Sequence, residues 1–303
     1  MSRQLKETII KGIFAMFAFA SVLTLALIVL FLFREGIPIF KEVSVSDFIF
    51  GKEWYPTYDP PSYGIWPLIV GSAIVTVCSC LLAVPLGVLS AVYVAEIAPP
   101  SIKDIAKSAI ELVAGLPSVV LGFFGMVVVA PFLQETFDLP TGLNIVNASV
   151  LLAIMAVPTI SSISEDALYA VPQEFKDASY ALGATKYETI TKVIIPAALS
   201  GISTAVILGM ARAIGETMVV LMVAGGAAAV PESIFDSVRP MPASIAAEMG
   251  EAPFGGGHYQ ALFATGIVLF VLTLVFNLIA DYISQKFKEV GSATLYRREF
   301  IVC

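Results

Sequence analysis

Six long stretches with almost no charged residues constrain the fold of this chain more than any other feature. A helix that crosses the hydrocarbon core of a bilayer needs about 20 predominantly apolar residues. The stretches cover residues 12–33, 67–95, 112–134, 139–164, 199–225 and 261–283. Across the chain, 58% of residues are hydrophobic and 14% are charged, whereas roughly 25% charged residues is typical of soluble domains. The sequence therefore predicts an all-α membrane protein with six transmembrane helices.

The first stretch has two possible interpretations. It follows Arg3, Lys6 and Lys11, as the apolar core of a cleaved signal peptide does. Its apolar part is longer than 20 residues, and it ends at Phe33 and Arg34 without a small-residue cleavage site. A membrane-spanning helix is therefore the better interpretation.

Lysine and arginine predict how the spans are oriented. If the N-terminus is cytoplasmic, the cytoplasmic segments hold 12 of these residues and the outer segments hold 4. Basic residues favour the cytoplasmic side, so both termini are expected there, in a plasma membrane. The outer segments carry 11 acidic residues against those 4 bases, which accounts for the net charge of −7. Such a surface repels a free anion, and no nucleic-acid partner is expected.

A membrane enzyme and an ion-coupled secondary transporter are two alternatives for a chain of this kind. A membrane enzyme needs clustered nucleophiles, bases or metal ligands, and the one histidine, His258, is expected in a solvated outer loop. An ion-coupled secondary transporter needs no ATPase. The chain has no G-x-x-x-x-G-K-[ST] loop for ATP, so ATP chemistry would need another subunit. We expect this chain itself to bind neither a metal nor a cofactor.

A polar segment over residues 165–198 separates the fourth and fifth stretches. We expect a short helix from Asp177 that ends at Gly183, since glycine favours the position after a helix C-terminus. Thr185 and Glu188 have the spacing of a capping box, which predicts that a second helix begins there. Two short helices joined at a glycine would form a compact cytoplasmic knob.

This segment resembles a motif of the binding-protein-dependent ABC permeases. Asp177-Ala178-Ser179-x3-Gly183-x9-Val193-x-Ile195-Pro196 is similar to E-A-A-x3-G-x9-I-x-L-P. The resemblance implies a coupling helix at about 175–190 that docks on an ATPase subunit. The residues it implies for ATPase coupling are Asp177, Ala178, Ser179, Gly183, Ala184 and Pro196.

Three further motifs resemble the phosphate-specific permeases, and the last of them their PstC type. They are Gly115-Leu116-Pro117-Ser118, Arg212-Ala-Ile-Gly-Glu216-Thr217-Met218, and Trp54-Tyr-Pro56 with Ile65-Trp66-Pro67. The resemblance implies the type I ABC importer permease fold, with a first helix and outer loop over 1–66, a permease domain over 67–285 and a tail over 286–303. It also implies a PstA-type partner permease, two ATPase subunits that use ATP and magnesium, an extracytoplasmic phosphate-binding protein and surrounding lipid.

Two charged residues interrupt the fifth stretch. A charge at the centre of a membrane helix costs about 2.5–3.5 kcal/mol, and Arg212 and Glu216, four residues apart, would share one helical face. They could form a self-neutralising pair that anchors the helix. Alternatively, they line a substrate path together with Thr217, which is the interpretation that the resemblance favours.

Small and helix-breaking residues mark the third stretch. Pro117 interrupts a helix, and the glycines at 115 and 122 allow close helix approach. For Gly115, Pro117, Ser118 and Gly122 we expect helix breaking or packing in preference to substrate contact.

Overall fold

The computed structural model describes the backbone of residues 3–299 and the side chains of Glu7 and residues 10–282. The tail at 286–303 therefore has no described side chains. The longer helices are α1 (Arg3–Gly36), α3 (Trp66–Val92), α4 (Pro100–Ala114), α7 (Ile145–Tyr169), α10 (Ile195–Ile214) and α13 (Gly257–Glu299). The shorter elements are α2 (Val45–Phe50), β1 (Trp54–Tyr55), β2 (Ser62–Tyr63), α5 (Ser118–Phe124), α6 (Ala130–Phe137), α8 (Gln173–Ala181), α9 (Lys186–Thr189), α11 (Met218–Val223) and α12 (Met241–Glu248).

Six helical segments of the described chain are long and apolar enough to cross a membrane. They are Ile10–Lys41, Trp66–Ile97, Ser118–Phe137, Ile145–Tyr169, Lys186–Ile214 and Gly257–Tyr282. Single π-helical turns join α5 to α6 at Gly125–Val129 and α9 to α10 at Ile190–Ile194, and a third such turn, at Tyr93–Ile97, ends the span that begins with α3. The predicted number of spans is confirmed.

The third and fifth spans begin elsewhere than the charge pattern indicated. The third begins at Ser118, because Pro117 separates it from α4, which is a distinct helix with exposed Ile105 and Leu112. The fifth begins at Lys186, well before the predicted residue 199. Since α7 also extends to Tyr169, the polar segment outside the two spans narrows from the predicted 165–198 to residues 170–185.

Helix α7 forms the centre of the bundle and packs between α3 and α10. Its contacts are close because glycines on both neighbours face the same side chain, Ile160. A Cβ at Gly87 of α3 would lie 2.7 Å from Ile160 Cγ2, and a Cβ at Gly209 of α10 would collide with Ile160 Cγ1. The backbones of α3 and α10 therefore both pack closely against Ile160 of α7, because small residues permit close helix approach in membrane bundles.

The segment between α1 and α3 folds back as a compact cap, which we call the outer cap, on the N-terminal ends of α3 and α13. Phe48, Trp54 and Ile65 are buried there against Leu68 of α3 and Leu262 of α13. A two-stranded hairpin pairs Trp54 with Tyr63. The aromatic residues of the outer segment therefore form a small core of their own on the bundle.

Candidate functional site

The apolar stretch predicted as the fifth span is broken near its end. Helix α10 ends at Ile214 and α11 begins at Met218, so residues 215–217 separate two helices where the sequence predicted one span over 199–225. The expectation of a continuous helix is wrong because Gly215, which has low helix propensity, forms the C-cap: its N–H bonds to Ala211 O at 3.3 Å. The membrane-spanning helical segment Lys186–Ile214 therefore ends just before the break.

Arg212 and Glu216 do not form the pair that helical spacing predicted. Arg212 lies exposed in the last turn of α10, whereas Glu216 lies beyond the helix end and is partly exposed. Among the described residues, no nitrogen–oxygen contact within 4.0 Å joins the two side chains, and Arg212 has no hydrogen bond. The interpretation as a self-neutralising intrahelical pair is therefore wrong, and within the described part of the chain no acidic side chain lies within 4.0 Å of the guanidinium. Thr217, also partly exposed, donates its hydroxyl to Gly215 O at 3.3 Å.

Glu216 borders a narrow crevice between the helix break and the outer half of α3. Ser72 and Thr76 of α3 line the crevice together with Leu152 of α7 and Pro240. The hydroxyl of Ser72 accepts the N–H of Met241 at 2.8 Å. The break thus brings a carboxylate and two hydroxyl side chains to one place, although they come from residues more than 130 positions apart in the sequence.

The other predicted residues of the third span lie at or near its start. Gly115 caps α4 and is exposed, and Pro117 precedes α5 with Ser118 as its first residue. Gly122 is buried, and a Cβ there would lie 2.7 Å from Met222 Sδ of α11. Gly122 therefore lets α5 approach the second half of the broken fifth span.

The polar loop forms the predicted knob. Helix α8 ends in a Schellman motif, because Gly183 N–H bonds to Tyr180 O at 2.9 Å and Ala184 N–H bonds to Ser179 O at 3.2 Å. Gly183 has a φ of +81°, in the left-handed region that glycine adopts at little cost. Thr185 and Glu188 form a capping box at the start of α9. The predicted helix end and capping box are both confirmed.

The predicted loop residues divide into exposed and internal ones. Asp177, Ala178 and, at the base of the knob, Pro196 are exposed, and Ala184 is partly buried. Ser179 is buried and shares a hydrogen bond with Thr189 of 2.9 Å between hydroxyls, which fixes α8 against α9. The apolar side chains of the knob point outward, with Leu182 90% and Tyr187 75% exposed.

Two acid–lysine contacts join remote segments and were not predicted from the sequence. Lys176 of α8 contacts Glu96, at the end of the α3 span, at 2.7 Å. Glu165, 2% exposed within α7, lies 3.7 Å from Lys107 of α4. No local spacing could reveal these pairs, because the partners are far apart in the sequence.

A third missed cluster lies at the outer cap. The carboxylate of Glu248, whose side chain is 15% exposed, accepts hydrogen bonds from Trp54 Nε1 at 3.1 Å and from Ser244 at 3.1 Å, and it pairs with Arg239. His258 Nε2 lies 2.8 Å from the same carboxylate and its side chain is 10% exposed. The expectation of a solvated His258 is wrong, because α13 begins at Gly257 and places the imidazole beside Glu248.

Two bacterial permease proteins are similar to this chain over most of its length. It is 39% identical over 289 residues to "Probable ABC transporter permease protein YqgH" of Bacillus subtilis, covering 95% of this chain and 94% of that protein. It is 34% identical over 258 residues to "Phosphate transport system permease protein PstC" of Mesorhizobium japonicum, covering 79% and 78% of the two chains.

A solved structure shows the same fold at low sequence identity. A chain of the bacterial alginate ABC transporter, crystallised in complex with an alginate pentasaccharide-bound periplasmic protein, superposes with a TM-score of 0.63 at 16% identity. The alignment covers 94% of this chain and 98% of that chain. The predicted fold of type I ABC importer permeases is therefore confirmed.

The sequence profile of one transport family matches residues 83–289, the region that contains the broken span and the knob. The match covers more than half of the chain and agrees with the full-length relatives and with the fold. The chain belongs to the family of binding-protein-dependent transport system inner membrane components and is a multi-pass membrane protein.

Proposed function

We propose that this chain is the PstC-type permease subunit of an ATP-driven phosphate importer. The observation that supports this most is the helix break at 215–217: Arg212 is exposed just before it, and within the described residues no acidic side chain pairs with the guanidinium. Relatives named as phosphate transport permeases at 30–34% identity give the substrate.

Arg212 has the chemistry that a transient phosphate site needs. A guanidinium remains charged at any relevant pH, and its planar fork matches two oxygens of a phosphate. Conduction also requires that the anion leave again. The carboxylate of Glu216 at the same break repels the anion and so weakens its binding. We assign Arg212 to phosphate contact, Glu216 to release, and Thr217 to the lining of the path.

The exposed surfaces of the chain are consistent with a multi-subunit complex. A homologous PstA-type permease would cover the side chains that are exposed at the break and would form the other side of the substrate path. The outer segments carry 11 acidic residues against 4 bases, and such a surface repels free phosphate. Delivery by an extracytoplasmic phosphate-binding protein overcomes this repulsion. Lipid covers α1, whose apolar side chains are exposed.

The knob would couple the chain to the ATPases. Leu182 and Tyr187 are apolar side chains held out from a polar loop, and exposed apolar groups of this kind mark contact surfaces. We propose that they, with Asp177 and Ala178, dock on an ATPase subunit, which binds ATP and magnesium. In this arrangement both termini are cytoplasmic, and ATP-driven closure rocks the spans between outward- and inward-facing states.

The experiment that tests this function uses the complex purified with its co-expressed subunits and reconstituted in vesicles. We expect uptake of labelled phosphate that requires internal ATP and magnesium and the binding protein outside, and that vanadate abolishes. Vanadate-insensitive phosphate uptake by the purified chain alone would instead support the secondary transporter. ATP-driven uptake of another oxyanion in preference to phosphate would contradict the proposed substrate.

A further inference from the structure

The ion pair between Lys176 and Glu96 joins the knob to a membrane-spanning helix far away in the sequence. Nζ and Oε1 are 2.7 Å apart, and the two side chains are 14% and 10% exposed. Removing such charges from water costs several kcal/mol per ion, so a buried ion pair adds little net stability over an apolar contact. Its geometry, in contrast, fixes one relative position of two elements.

Helix α8 has few other attachments to the bundle. Its one buried side chain is Ser179, which shares a hydrogen bond with Thr189 at the start of the fifth span. The apolar cluster beneath the knob consists of residues from α3, α7, α10 and the segments next to them, and none comes from α8. Within the described residues, no other hydrogen bond or ion pair joins α8 to the span Trp66–Ile97.

The α3 span carries this contact to the helix break. Glu96 lies in the π-helical turn that ends the span, and Thr76 lies 20 residues earlier on the same helical segment. At 1.5 Å per residue, the two are roughly 30 Å apart. Ser72 and Thr76 line the crevice beside Glu216. A displacement of α8 that moves Glu96 therefore moves the wall of the proposed phosphate path.

We propose that Lys176 and Glu96 are positioning residues that transmit the motion of α8 to α3 and so couple ATP hydrolysis to phosphate movement. This inference rests on the proposed function. It assigns the link between α8 and the α3 side of the path to one ion pair, whose loss lets α8 move without carrying α3.

The test measures phosphate uptake per ATP hydrolysed in reconstituted complexes. The variants are Lys176→Met, which keeps the length of the side chain without its charge, Glu96→Gln, and the double charge exchange Lys176→Glu/Glu96→Lys. The matched control is Lys192→Met, which removes an exposed ion pair with Glu188 on the same knob. Assembly is followed by the amount of ATPase subunit that co-purifies.

We expect both single variants to assemble and to hydrolyse ATP within about twofold of the unsubstituted complex. Their uptake per ATP should fall roughly fivefold, within the range by which residues between coupled sites modulate coupling. The charge exchange should restore at least about half of the ratio, since it re-forms the pair, and Lys192→Met should leave the ratio unchanged.

Three results would overturn the inference: an unchanged ratio in both single variants, no recovery in the charge exchange, or a parallel loss of assembly and of both activities in every variant. Failure of the proposed function is distinguishable from these results. In that case, the unsubstituted complex itself would not take up phosphate at the expense of ATP.

Discussion

At the scale of single residues, the proposed phosphate contact of Arg212 can be tested directly. Replacing Arg212 with Gln removes a charge-assisted contact, and such contacts are worth about 1.5–3 kcal/mol. We therefore expect Arg212→Gln to lower phosphate uptake roughly 10- to 100-fold while complex assembly persists. Uptake by reconstituted complexes measures this. The control is Arg34→Gln, because Arg34 is exposed at the end of α1. Normal uptake by Arg212→Gln would exclude Arg212 from the path.

Glu216 is expected to act in the opposite sense to Arg212. Without the negative charge, phosphate should bind more tightly and leave more slowly, so Glu216→Gln should lower both the KM and the maximal rate of uptake. Concentration-dependent uptake separates the two quantities. Glu251→Gln, an exposed carboxyl in the outer loop, is the matched control. Unchanged kinetics in Glu216→Gln would contradict a role in release.

At the scale of elements, the knob depends on the left-handed residue that ends α8. A Cβ at Gly183 would meet no atom within 4 Å, so substitution there changes backbone energy and not packing. At φ +81° an alanine costs about 1–2 kcal/mol, whereas asparagine tolerates this region better.

We therefore expect Gly183→Ala to weaken co-purification of the ATPase subunit and Gly183→Asn to weaken it less. The matched control is Gly250→Ala, since a Cβ at Gly250 also meets nothing within 4 Å and Gly250 does not have a positive φ. Equal binding by all three variants would show that the shape of the knob does not depend on this turn.

At the scale of the whole molecule, Glu248 holds the outer cap on the bundle. It joins Trp54 of the outer segment, Arg239 before α12 and His258 of α13. Glu248→Gln keeps the shape but leaves Arg239 half-buried without its counter-charge. Removing one partner of a buried pair costs about 3–5 kcal/mol, and partial exposure of Arg239 reduces that figure.

We expect Glu248→Gln to lower the thermal unfolding midpoint of the detergent-solubilised protein by several degrees, and Glu251→Gln to leave it unchanged. A scanning fluorescence or calorimetric melt measures both variants. Equal midpoints would show that the cap is held by its apolar core alone.

The sequence predicted the features that depend on neighbours along the chain. Uncharged stretches indicated six spans because a bilayer selects for length and hydropathy, whatever the packing. The turn at Gly183 and the capping box of Thr185 and Glu188 could be predicted because each is formed within a few residues. Arg212, Glu216 and Thr217 were predicted to line a substrate path because charged residues interrupt an apolar stretch and because the motif resembles that of phosphate permeases. That assignment stays a prediction.

The tertiary structure decided which distant residues meet. The break at Gly215 separated Arg212 from Glu216, although helical spacing predicted that they share one helical face. Lys176 contacts Glu96, and His258 contacts Glu248, although the separation of these residues in the sequence predicts neither contact. In this protein the sequence by itself determined the membrane architecture and its local caps, because these follow from solvent and backbone chemistry. Which charged side chains pair was determined by the packing of the helices, because only packing sets the distances between remote parts of the chain.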